Sequence, residues 1–160
     1  MTYLHVFLNS IKLPKKKAMF QLNRVGMDTA VIYMFILLGL VSIPALIEQL
    51  TATSGLGADM NVIFKFVYFF MFYYLPLTIL VFIAICFVAY IGRGLTYIMQ
   101  RKLRFSILWK MCAFTTTIPF LLYIIISFII PVRDSYLLLT FIFSIGLLFK
   151  MISIYPKRRK

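Results

Sequence analysis

Carboxylates are nearly absent from this 160-residue chain: Asp28, Glu48, Asp59 and Asp134 stand against 17 Lys and Arg, a formal charge of +13. Histidine occurs once, at His5, and cysteine twice, at Cys86 and Cys112, both in or beside apolar runs. That scarcity excludes a disulfide scaffold and argues against a zinc site, which needs three or four His, Cys or carboxylate ligands. Charged residues of any kind make up only 13% of the chain while 63% are hydrophobic, and the mean hydropathy is +1.00. A nucleic-acid-binding domain of this basicity needs a polar surface that such a composition lacks. The expected counter-charge is therefore the lipid headgroup, and the expected class is an all-α polytopic membrane protein.

Four apolar segments approach or exceed the roughly 20 residues that span a hydrocarbon core. They are Thr29 to Ile47, Phe66 to Ile91, Met111 to Val132, and Ser135 to Phe149, the last extended to about Tyr155 because Lys150 can snorkel. The cations sort by connection. Lys12, Lys15, Lys16, Lys17 and Arg24 precede the first segment; Arg93, Arg101, Lys102, Arg104 and Lys110 lie between the second and third; Lys150, Lys157, Arg158, Arg159 and Lys160 close the chain. The other two connections hold only Lys65 and Arg133. The positive-inside rule then predicts that both termini are cytoplasmic. Three regions follow: a cytoplasmic amphipathic and basic segment (1–27), a four-helix transmembrane domain (28–155) and a basic tail (156–160).

Within the first region, Leu4, Phe7, Leu8 and Ile11 recur at helical spacing opposite His5, Asn9 and Lys12. This predicts an amphipathic helix over residues 2–13 lying on the membrane, ended by Pro14. Anionic headgroups are the expected partners of Lys12, Lys15, Lys16, Lys17, Arg101, Lys102, Arg104, Lys157, Arg158, Arg159 and Lys160. Gly92 and Gly94, flanking Arg93, predict the end of the second span.

Pro44, Pro76 and Pro119 fall one in each of the first three spans and predict kinks, because each removes a backbone donor. Thr115, Thr116 and Thr117 are placed to donate to the freed carbonyls, and Ala113 with Thr117 and Thr140 with Ser144 form small-residue seams. Glu48 and Lys65 flank a short outer loop and are expected to pair across it. No ionisable group falls at a midplane position where a proton relay would sit, and His-Glu-x-x-His, Cys-x-x-Cys and Gly-x-Ser-x-Gly are all missing from the sequence. No catalytic, cofactor or metal residue is therefore assigned. The leading expectation is a non-enzymatic accessory or interaction subunit whose partners are membrane lipids and another membrane protein or a second copy, with no nucleic acid. The rival is a transport or lipid-handling protein with a pathway between proline-kinked helices. A polar cavity near Thr115 to Thr117 or Tyr123 would favour transport, and solid packing with an exposed helix face would favour the accessory role.

Two stretches carry a family resemblance. Phe7-Leu8-Asn9-Ser10 through Pro14-Lys15-Lys16, then Asn23-Arg24-Val25-Gly26 leading to Tyr33 and Ile43-Pro44, form the first. Leu103 through Lys110, Ile118-Pro119 and Tyr155-Pro156-Lys157 form the second. Together they resemble a bacterial membrane family of unknown function whose members bear maltodextrin-utilisation-type names in bacilli and are loosely related to Yip1-like proteins. The resemblance implies a Gram-positive plasma-membrane location and transfers no catalytic residue. The chain departs from that pattern in its short Thr51 to Asn61 loop, where the family carries a longer extracytoplasmic stretch.

Overall fold

The computed structural model describes residues 2–51, 61–101, 103–129 and 135–155. These residues form helices and turns with no strand among them. In chain order the helices are α1 (Thr2–Ile11), α2 (Lys16–Asn23), α3 (Met27–Val41), α4 (Ile43–Thr51), α5 (Val62–Phe69), α6 (Leu75–Ile98), α7 (Phe105–Thr115), α8 (Thr117–Ser127) and α9 (Ser135–Ile154). Three continuous runs are long and apolar enough to cross a membrane: Met27–Thr51, Val62–Ile98 and Phe105–Ser127. The 20 residues of α9 contain a shorter apolar stretch, Leu139–Ile154.

Pro44, Pro76 and Pro119 each sit just beyond a helix break. Pro44 follows the α3–α4 junction at Ser42, whose Oγ donates to the Gly39 carbonyl (2.8 Å). Pro119 follows the α7–α8 junction at Thr116, whose Oγ1 donates to the Ala113 carbonyl (2.8 Å). Pro76 lies at the start of α6, directly after a π-helical turn over Phe70–Tyr74. A proline ring cannot accept the close carbonyl of the fourth residue before it, and widening the preceding turn relieves that clash. The wider turn stacks its aromatics at fourth-neighbour spacing: Tyr68 on Phe72 (4.7 Å), Phe69 on Tyr73 (5.0 Å) and Phe70 on Tyr74 (5.0 Å).

The second long helix does not stop at Gly92 and Gly94. It runs through both to Ile98, because Gly92 is where α6 meets its neighbours: a Cβ there would lie 2.5 Å from Leu148 Cδ2 of α9 and 3.6 Å from Leu108 Cδ2 of α7. The glycine serves close packing rather than termination. The actual end is a Schellman motif, in which Gln100 takes a left-handed conformation (φ 53°), its N–H donates to the Tyr97 carbonyl (3.1 Å) and the Arg101 N–H to the Thr96 carbonyl (2.9 Å).

The core lies where α6, α7 and α9 pack on one another and α3 closes against α7 and α8. Central to it is α7, buried on every face from Leu108 to Thr115. Met34, Leu37 and Leu38 of α3, Ile85 and Ala89 of α6, and Leu148, Met151 and Ile152 of α9 complete the packing. Both small-residue seams are buried: Ala113 and Thr117 on one side, Thr140 and Ser144 on the other.

The N-terminal helix docks on the protein along one side. The face of α1 turned to the protein carries Val6 and Ser10, with Leu13 following, while Leu4, Leu8 and Ile11 are exposed. It packs on α2 and α8, and its first turns share a groove with Tyr33, Ile36, Leu37 and Leu40. Helical periodicity located the helix, but an apolar stripe on both of its sides leaves the docked face to be chosen by fit. Ser10 can be the docked residue because its hydroxyl bonds its own helix at the Val6 carbonyl (2.8 Å).

Candidate functional site

A cavity of about 240 Å³ lies between α6, α7, α8 and α9. Val81, Ile85 and Val88 of α6 form one wall, Phe120 of α8 and Phe141 of α9 another, and Cys112, Thr116, Thr140 and Ser144 supply its few polar atoms. Helical spacing brings Thr140 and Ser144 to the same face of α9.

The hydroxyls are mostly satisfied by their own backbone. Thr116 Oγ1 donates to Ala113, and Thr140 Oγ1 donates to the Tyr136 carbonyl (3.0 Å). Ser144 Oγ is buried without a hydrogen-bond partner among the described residues. The chemistry on offer is thus hydrocarbon with one unmatched hydroxyl and one buried thiol. A polar solute entering here would leave its hydrogen bonds unmade, at a cost of about 1–3 kcal/mol for each group.

The threonines named as landmarks of a polar pathway are accounted for differently. Thr115 and Thr117 are fully buried. Thr115 Oγ1 donates to the Cys112 carbonyl (2.7 Å), and Thr117 Oγ1 shares a 2.8 Å hydrogen bond with the Tyr33 hydroxyl of α3. Tyr33 is also edge-on to Phe114 (5.7 Å), so this polar contact locks α3 to the α7–α8 junction. Tyr123 packs on Tyr136 (5.6 Å), and Tyr136 donates to the Pro119 carbonyl (2.6 Å). No group of three or more His, Cys, Asp or Glu among the described residues could hold a metal ion.

The cations expected at headgroups, together with Lys65 and Lys110, fall into three sets. Lys12, Lys15, Lys16, Lys17 and Arg104 are exposed, as headgroup contacts must be. Lys102, Lys157, Arg158, Arg159 and Lys160 lie outside the described residues. The third set holds carbonyl groups of the chain itself. Arg101 donates from Nη2 to the Ser153 carbonyl (3.2 Å) at the end of α9. Lys110, 7% exposed, donates from Nζ to the carbonyls of Asn23 (2.9 Å) and Val25 (2.7 Å), tying the end of α2 to α7. Both cations face helix C-termini, where the orphan carbonyls and the dipole favour positive charge. Lys65 belongs here too: its ammonium meets the Leu50 carbonyl (3.4 Å) rather than the Glu48 carboxylate. The α4 terminus offers the lysine free carbonyls at close range, and a carbonyl fixed by the helix needs no side-chain ordering to accept. The structural role of Lys110 had one trace in the sequence, its position inside the run Leu108-Trp109-Lys110-Met111. The cavity had none.

Architecture defines the class first: an all-helical protein whose helices are compatible with a membrane location. The chain belongs to the family described as protein of unknown function (DUF1189), whose model matches residues 49–152. No curated protein and no solved structure matches it. The family match extends over the cavity-lining helices and carries neither a maltodextrin-utilisation nor a Yip1-like name.

Proposed function

We propose that this chain is a non-enzymatic, four-span protein of a Gram-positive plasma membrane, both termini cytoplasmic, that handles lipid by holding an acyl chain between α6 and α9. The cavity carries this reading, since a hydrocarbon-lined space of about 240 Å³ suits a methylene chain and penalises a polar solute. The fourth span is α9, whose 20 residues rise about 30 Å, the thickness of a hydrocarbon core. Support for the orientation is the sorting of cations by connection.

The test uses the full chain in nanodiscs containing a phospholipid with a diazirine midway along one acyl chain. Photolabelling is expected on Val81, Ile85, Thr140 and Ser144, and Ala84→Phe should suppress it by filling the space. Labelling restricted to the outward residues Ile83, Phe87 and Ile142, unaltered by Ala84→Phe, would defeat the proposal.

A second reading, an interaction subunit that binds another membrane protein or a second copy, draws on α4 and α5. These helices pack chiefly on each other, and Val62, Ile63 and Phe64 are 65%, 70% and 67% exposed. Lipid alone can cover that face, whereas nothing but a slender apolar guest suits the cavity, so lipid handling takes precedence.

A further inference from the structure

We propose that the elbow between α1 and α2 is a discrete binding site for the phosphate of an anionic phospholipid. A cleft of about 310 Å³ opens there, lined by Asn9, Lys12, Lys15, Lys17 and Gln21 with Ala18 at its base. Three lysines and two carboxamide residues thus line it, and no carboxylate does. Oxygen-rich anions are the matching ligand class, with lysines acting as point charges and amides as neutral donors.

Selection within the lysine run distinguishes a site from a diffuse patch. In sequence Lys15, Lys16 and Lys17 are equivalent, yet with Lys15 at the N-cap of α2 and Lys17 in its first turn, these two line the cleft beside Lys12 and Lys16 does not. The cleft is held by packing beneath it: Ser10, Leu13, Ala18, Met19 and Leu22 are all buried. The Lys15 N–H donates to the Lys12 carbonyl (3.0 Å), and Lys110 fastens the far end of α2.

Position selects the lipid over a soluble anion. The elbow lies at the end of α1 remote from the groove that reaches Leu40, and α2 leads directly into the start of α3. It therefore sits where the apolar run begins, at headgroup level. Ile11 and Phe20, next in sequence to cleft residues, are 41% and 45% exposed and offer hydrocarbon for the chains below the phosphate. This inference rests on the proposed membrane placement, and is independent of the acyl-chain cavity.

The experiment titrates phosphatidylglycerol into the full chain held in phosphatidylcholine nanodiscs, with native mass spectrometry reading bound lipid. Both faces of a nanodisc are accessible, so sidedness does not enter. Lys12→Gln, Lys15→Gln and Lys17→Gln should each weaken phosphatidylglycerol binding about five-fold, the loss expected for one headgroup-level charge, while Lys16→Gln changes it less than about two-fold. Equal effects of all four substitutions would overturn the site in favour of diffuse attraction. Displacement of the lipid by millimolar inorganic phosphate would overturn the lipid assignment in favour of a free-anion site. Ala84→Phe should leave the phosphatidylglycerol preference intact, so loss of photolabelling in the cavity and loss of headgroup binding report on separate proposals.

Discussion

Replacing Lys110 by Met removes the tether between α2 and α7 while keeping a flexible apolar stem of similar length. Two opposing effects must be weighed. Burying an ammonium is costly, and replacing a buried ionic contact wholesale with apolar groups can be neutral or stabilising. Here only one side is replaced, because the partners are the backbone carbonyls of Asn23 and Val25, which stay where they are. Each hydrogen bond to a charged donor contributes about 1.5–3 kcal/mol, and the orphaned carbonyls keep their desolvation cost. At 2.9 and 2.7 Å both bonds are well formed, so Lys110→Met should cost about 3 kcal/mol, the lower end for the pair. Lys110→Arg, which keeps charge and donors, should recover part of it. Equilibrium unfolding in mixed micelles gives the total, and amide hydrogen exchange localises it. The N–H groups of Arg24 and Val25, bonded to Gln21 and Leu22, should exchange faster, with α6 and α9 little changed. A loss below about 0.5 kcal/mol, or acceleration spread evenly over all helices, would refute the tether.

Gly92→Ala should destabilise by about 1 kcal/mol, since overpacking against the buried Leu148 outweighs the gain in helix propensity; combining it with Leu148→Val should recover most of the loss, seen as non-additivity in a double-mutant cycle. Gln100→Gly should raise stability by about 0.5–1 kcal/mol in the same unfolding assay, because glycine takes the left-handed conformation at this helix end without a Cβ penalty. In a variant lacking Cys86 and Cys112, an impermeant thiol reagent added to intact cells should label Ser54→Cys and spare Lys16→Cys; the reverse pattern would invert the proposed topology.

Hydrophobic runs and cation placement made the helical class, the long apolar helices and the exposed lysines of the N-terminal region readable from the chain alone, because these depend on composition and local spacing. The proline breaks were readable for the same reason: a missing N–H acts within one turn of helix, whatever surrounds it. What tertiary structure decided is which face of each element meets which neighbour. Leu4 and Leu8 have the same apolarity as Val6, yet only Val6 docks. Gly92 has the marks of a helix stop, but Leu148, 56 residues later in the chain, makes it a contact point inside α6. Lys110 counts as one more cytoplasmic cation until α2 folds back and presents two carbonyls to it. The cavity is a shortfall of packing among four helices and has no residue signature at all. Such features arise from pairings distant in sequence, which local periodicity does not encode, and the site therefore appears only when α6, α7, α8 and α9 are brought together.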